Sequence, residues 1–249
     1  MRSLLLTSLF VIAGTASFCQ GDALPIVYFD RSFEAENDIS YASYYGTPKK
    51  IHGNRYEVTF FTLDGRKIAM GEYLGKSLKN RSGLFVRYNR NGNIILSTTY
   101  RKSLLHGPFL RFYDNGQKAD SGNVNRGNNY GTWKSWYDNG QIKDVRHFEI
   151  AHTSRGLEFS LQTDEYKSWY PDGSLKDSGY YRLNERSGVW VEWIEKGTIK
   201  SVGEYRNDWK RGDWKYYDAK GNLLYIRRFR KYRYDLTGEK IELKKNAQL

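Results

Sequence analysis

Glycines at 92, 116, 140, 173, 197 and 221 are spaced by 24, 24, 33, 24 and 24 residues, and this period constrains the fold more than any other feature. Nine residues before each lies Gly83, Gly107, Gly131, Gly188 or Gly212, with Asp164 the one exception. Counting that earlier site as position 0 and the later glycine as position 9, position 2 holds Phe85, Phe109, Trp133, Tyr166, Trp190 and Trp214. Position 5 holds Tyr88, Phe112, Trp136, Trp169, Trp193 and Tyr217, and position 17 holds Tyr100, Val124, Phe148, Tyr181, Tyr205 and Phe229. These three positions take six of the seven Trp and 17 of the 40 aromatic residues, so a large share of the aromatic content belongs to a repeat whose core lengthens with each added unit.

One unit reads Gly131-Thr-Trp-Lys-Ser-Trp-Tyr-Asp-Asn-Gly140-Gln-Ile-Lys. Trp and Tyr suit a pleated strand, and Asn139-Gly140 is a hairpin signal, because a two-residue type I′ turn needs positive φ at both positions. Each unit is therefore expected to be a β-hairpin, with the position-0 glycine marking the turn into the next one. The fold class is all-β: an elongated antiparallel meander of repeated hairpins. Positions 2 and 5 are an odd number apart, so either both faces of the sheet carry rings or a bulge corrects the phase.

The frame extends upstream through Phe60, Gly65 and Tyr73, and downstream as a shortened copy from Tyr234 to Ile241. The expected organisation is a signal peptide over 1–19, a leader segment packing on the array over 20–55, repeats over 56–241 with an insertion near 149–163, and a basic tail over 242–249. The insertion is expected to be a protruding loop or a lengthened hairpin. Arg2, the apolar run Leu4 to Ala13 and the small residues Gly14 to Ser17 form the three-part pattern of a secretory signal. The run is shorter than the ~20 residues a bilayer span needs, so no transmembrane span is expected after cleavage. Cleavage after Cys19 is favoured over lipidation there, because Phe18 stands where a lipobox takes Gly or Ala. The expected location is periplasmic or secreted.

The unit, seen in Gly131 to Phe148 and again in Gly107 to Lys118, resembles the MORN-variant repeat of bacterial YwqK-type, antitoxin-like proteins. The segment from Tyr28 to Tyr45 resembles the leader of such arrays in envelope proteins. The resemblance implies a hairpin array with an interaction role and carries over no catalytic residue.

No Walker A, Gly-x-Ser-x-Gly or His-Glu-x-x-His motif occurs, so an enzyme is not expected, and neither a cofactor nor a metal. His147, Glu149 and His152 cluster at the insertion, but without cysteines or a second such cluster a solvated loop explains them better than a metal does. Candidate partner-binding residues are Trp133, Trp136, Tyr137, Trp169, Tyr170 and Trp193. The formal charge is +12, and from Ile226 to Leu249 eight basic residues face three acidic ones. Arg227, Arg228, Arg230, Lys231 and Arg233 form its candidate basic patch. Export makes nucleic acid a poor default partner, and anionic lipid or acidic glycan a more accessible one. The leading expectation is a non-enzymatic scaffold for an envelope or secreted protein. A lipid- or polysaccharide-binding module, or an antitoxin-like immunity protein, is the alternative.

Overall fold

The structure is a computed structural model that describes residues 24–230, 232–234 and 240–242, the last two stretches as backbone only. The expected signal peptide, Lys231 and residues 243–249 lie outside the described residues. One sheet of 17 strands dominates, every pairing antiparallel. After β1 (Val27–Phe29), β2 (Ala35–Glu36) and a 3-10 turn (Ile39–Tyr41), the chain runs as a meander from β3 (Tyr44–His52) to β17 (Leu223–Phe229). β1 lies beside β3 and β2 beside β1, while among the described residues β18 (Tyr232–Tyr234) and β19 (Lys240–Glu242) pair only with each other. The hairpin meander expected from the repeat is therefore present, as a single open layer.

The units give seven hairpins, which are β4 (Arg55–Thr62) with β5 (Lys67–Leu74), β6 (Asn80–Tyr88) with β7 (Ile94–Arg101), and β8 (Leu104–Phe112) with β9 (Lys118–Asn125). β10 (Asn128–Trp136) with β11 (Ile142–His152), β12 (Glu158–Trp169) with β13 (Leu175–Arg182), β14 (Glu185–Trp193) with β15 (Ile199–Arg206), and β16 (Trp209–Tyr217) with β17 complete them. In each, the register shifts between positions 4 and 5: Ser135 pairs with Asp144, but Trp136 with Ile142, so Lys143 is the extra residue. The bulge lies on the returning strand, and the outgoing strand alternates without interruption from position 2 to position 5. Positions 2 and 5 therefore point to opposite faces, and both faces carry rings.

Two expected turns are corrected. The unit turn is not type I′: Gly140 N–H donates to the Tyr137 carbonyl (3.0 Å), and Gly140 has φ 84 while Asn139 has no positive φ. Nor is position 0 a turn. Gly83, Gly107, Gly131, Gly188 and Gly212 sit with positive φ inside strands, where a second register shift occurs, and Asp164 adopts the same region (φ 61). The turns between units lie a few residues earlier, as left-handed pairs such as Lys102-Ser103, Arg126-Gly127, Leu183-Asn184 and Asn207-Asp208. The insertion is a lengthened hairpin, paired out to His152 opposite Glu158, with Asn128 Nδ2 reaching the Glu158 carbonyl (3.4 Å).

The core sits on the face of positions 2, 15 and 17. At its N-terminal end Phe29 and Phe33 pack on Phe60, Tyr73 and Phe85, and Tyr73 Oη donates to the Phe33 carbonyl (3.0 Å). Further along, Trp190, Tyr205 and Trp214 form a second buried group.

Candidate functional site

The first face is a packing face. Gly122, Gly179 and Gly203 stand at position 15, and a Cβ on any of them would fall inside van der Waals contact of Trp133, Trp190 or Trp214 of the next unit. Each indole Nε1–H donates to a carbonyl of the preceding unit: Trp133 to Asn123 (3.1 Å), Trp190 to Tyr180 (3.2 Å) and Trp214 to Glu204 (3.2 Å). Where position 15 is Thr98 or Arg146, the next ring is the smaller Phe109 or Tyr166. Cations two residues before position 0 cover the rings: Arg81 lies 4.8 Å from the Tyr100 ring, Arg186 4.1 Å from Tyr205, and Lys210 3.8 Å from Trp214.

Beside the rings runs a polar row at positions 4 and 13. Ser168 Oγ donates to Asp177 (2.9 Å), Ser201 Oγ to Glu192 (3.0 Å) and Ser135 Oγ to Asp120 (2.9 Å), while Arg146 Nη2 donates to Ser135 Oγ (2.8 Å). Arg146 Nε lies 2.7 Å from Asp144 without the alignment of a hydrogen bond. Each carboxylate is thus answered by its own serine or arginine. Burial raises the hydroxyl pKa of Tyr166, Tyr181 and Tyr205 on this face.

The second face carries position 5. Direct pairing sets each ring opposite the position-11 residue of its own hairpin: Tyr88 with Ile94, Phe112 with Lys118, Trp136 with Ile142, Trp169 with Leu175, Trp193 with Ile199 and Tyr217 with Leu223. One such residue per strand makes a stripe from β6 to β17, broken only by Lys118. At ~4.8 Å per strand it runs for roughly 50 Å. The rings are half-buried, and Ile94, Ile199 and Leu223 are exposed. Two residues away on the same face stand Lys134, Lys167 and Lys215.

Tyrosines at the turn end tie neighbouring units together. Tyr113 Oη donates to the Trp136 carbonyl (2.7 Å), Tyr137 to Trp169 (2.9 Å) and Tyr170 to Trp193 (2.9 Å). The ladder stops at Ile194, which has no hydroxyl. Burial, with Asp144 or Asp177 nearby, raises the pKa of Tyr137 and Tyr170.

The six aromatic candidates thus separate. Trp136, Trp169 and Trp193 share the second-face stripe, and Tyr137 and Tyr170 are ladder rungs. Trp133 is buried on the opposite face, where its ring fills the seat above Gly122. In the basic patch, Arg228 makes a paired hydrogen bond to Asp213 (2.6 and 2.7 Å), and Arg227 lies 5.2 Å from the Phe229 ring. Arg230 follows β17 directly, and Arg233 is placed only as backbone in β18. His147 and Glu149 share one face of β11 while His152 points to the other, and among the described residues no group of three or more His, Cys, Asp or Glu could hold a metal ion. A cavity of about 230 Å³ lies at the leader seam, lined by Phe33, Glu34, Ala35, Tyr73, Leu78, Lys79 and Arg81. The position-15 seats, the serine–carboxylate row and the cation caps were missed from sequence, although Gly179 and Gly203 recur at the unit spacing.

Residues 129–149, which take in β10, its turn and part of β11, match the family model described as MORN repeat variant. The hairpins on either side share the same frame, so the chain is an array of units similar to that repeat. No curated protein matches the chain. No helix among the described residues is long and apolar enough to cross a membrane.

Proposed function

We propose that the chain is an exported, non-enzymatic repeat protein that serves as a protein–protein interaction scaffold in the cell envelope. The observation that supports it is the second face: a stripe of rings and aliphatic side chains from β6 to β17, left uncovered because the sheet is a single layer. Contiguous apolar surface of that extent marks an interaction site. The first face is occupied by its own packing, so the contact is assigned to Trp136, Trp169 and Trp193. Export rests on the sequence of the first 19 residues and predicts a mature chain beginning at Gln20, which N-terminal sequencing of the fractionated protein checks.

The test compares affinity capture from an envelope fraction by the wild type and by Trp136→Ala/Trp169→Ala/Trp193→Ala. A partner held by the first and lost by the second is expected. A partner held equally by both, or none in repeated capture, removes the proposal. Lys134, Lys167 and Lys215 beside the stripe favour a second reading, in which the face lies on anionic lipid or acidic glycan. Salt-sensitive cosedimentation with anionic vesicles would support it.

A further inference from the structure

The sheet ends differently on its two sides. On one side β1 and β2 are only 3 and 2 residues long, and the part of β3 that β1 leaves uncovered carries Pro48, Lys49 and Lys50, both usual ways of blunting an edge. On the other, β17 runs for 7 residues without proline or glycine and pairs, among the described residues, with β16 alone. The cause is in the sequence. The next turn glycine after Gly221 is Gly238, which is 17 residues on instead of 24. The missing stretch is the one that, in every full unit, turns back and lies alongside the preceding strand. β18 and β19 still form a hairpin, with Tyr234 opposite Lys240 in the position-5 to position-11 pairing, but among the described residues β18 makes no pairing with β17.

The open strand has a patterned surface. Leu223, Leu224, Tyr225 and Ile226 are 50, 60, 54 and 50% exposed, and Arg227 and Arg228 follow, both exposed. Arg227 occupies position 15, the seat that Gly122, Gly179 and Gly203 leave empty for the next unit's indole. A further tryptophan unit would collide with that side chain, and Arg146 at the same position is followed by the smaller Tyr166, so the edge does not offer the seat an indole unit needs. Two copies paired antiparallel about Arg227 or Arg228 would bring those side chains together, and Asp213 is already engaged by Arg228.

We propose that β17 is a strand-addition site for an extended segment of a partner protein that runs antiparallel to it, acidic residues first and apolar residues after. Carboxylates would face Arg228 and Arg227, and apolar side chains would face Ile226, Tyr225 and Leu224. Main-chain hydrogen bonds supply the affinity in this mode, and alternate side chains the specificity. The inference deepens the scaffold proposal, on which it rests, by naming where a partner chain attaches and what it carries.

The test uses the full chain and a fluorescein-labelled peptide of about eight residues, Ser-Glu-Glu-Val-Phe-Leu-Thr-Gly, read by anisotropy. Saturable binding is expected, weakened roughly tenfold by Arg227→Glu, lost when alternate peptide nitrogens are methylated, and transferred to a Lys-Lys version of the peptide in the Arg227→Glu variant. No saturable binding, equal binding of the Glu and Lys peptides to the wild type, or binding by the methylated peptide would overturn the proposal. So would a dimer of the protein alone that Ile226→Lys dissolves, since the edge would then belong to a second copy. A captured partner lost with the triple tryptophan variant but kept by Arg227→Glu would remove the edge site and leave the scaffold proposal standing.

Discussion

Replacing Gly203 with Ala separates two explanations for the position-15 glycines. Gly203 has no positive φ, so the backbone there accepts alanine. On conformational entropy alone the substitution should stabilise a strand by about 0.5–1 kcal/mol. The seat predicts the opposite sign. The new Cβ would stand 2.5 Å from Trp214 Cγ and closer still to Cδ2 and Cε2, so the indole must move by ~1 Å to regain ordinary contact. Trp214 is fully buried, pinned by its Nε1–H to the Glu204 carbonyl (3.2 Å), and backed by the Tyr205 ring at 5.0 Å and Lys210 Nζ at 3.8 Å. Overpacking costs about 1–3 kcal/mol and a weakened hydrogen bond about 0.5–1.5, which together outweigh the entropic gain and leave a net loss of roughly 2–3 kcal/mol. At ~2–4 °C per kcal/mol for a chain of this size, the thermal midpoint followed by tryptophan fluorescence should fall by roughly 5–10 °C. Trp214→Phe should be costly alone, yet the double variant should be at least ~1 kcal/mol better than the two single losses combined, because Phe109 already coexists with Thr98 at the equivalent seat. A midpoint at or above that of the wild type for Gly203→Ala, or strict additivity in the cycle, would refute the reasoning.

Two further outcomes are expected. Tyr137→Phe removes one rung between neighbouring units and should cost about 1 kcal/mol in urea denaturation, whereas Tyr217→Phe, at position 5 and outside the ladder, should cost little. Burial raises the hydroxyl pKa of Tyr73 well above the ordinary tyrosine range, so its neutral form is favoured by folding. Its contribution to stability is complete below the unfolded pKa and is lost as pH rises from there toward the folded value. Alkaline titration followed by circular dichroism should therefore show stability declining above about pH 10. The decline should be shallower in Tyr73→Phe, and identical curves would contradict the burial.

The hairpins, their number and their frame were legible in the sequence because glycine spacing and ring positions both report the same unit. The faces were only half legible. Alternation separates Trp133 from Trp136, but whether a bulge cancels that separation depends on which strand takes the extra residue. Lys143, Lys176 and Lys200 take it on the returning strand, where nothing in their side chains announces it. The position-0 glycines look like turn residues because both turns and bulges call for positive φ. Asp164 gave the position away only in hindsight, as one of the few residue types that tolerate the left-handed region. Trp133 and Trp169 are the same residue type in the same repeat, and their different fates follow from face and from the empty seat at Gly122, which no single-residue property encodes.

The seat also explains why the units are not interchangeable. Gly122, Gly179 and Gly203 each admit an indole, Thr98 admits Phe109, and Arg146 admits Tyr166 only because its guanidinium is drawn away to Ser135 and Asp144. Each pair fills the same gap with a different division of volume, so a unit fits the neighbour it has and would clash with, or leave a void beside, another. Such contacts reach only to the adjacent unit, as expected of a repeat array. Positions 5 and 11 on the second face carry no matching seat and, among the described residues, face no second layer. Their side chains can therefore change chemistry, as Lys118 does within an otherwise apolar stripe, while the packing that holds the sheet together stays on the other face.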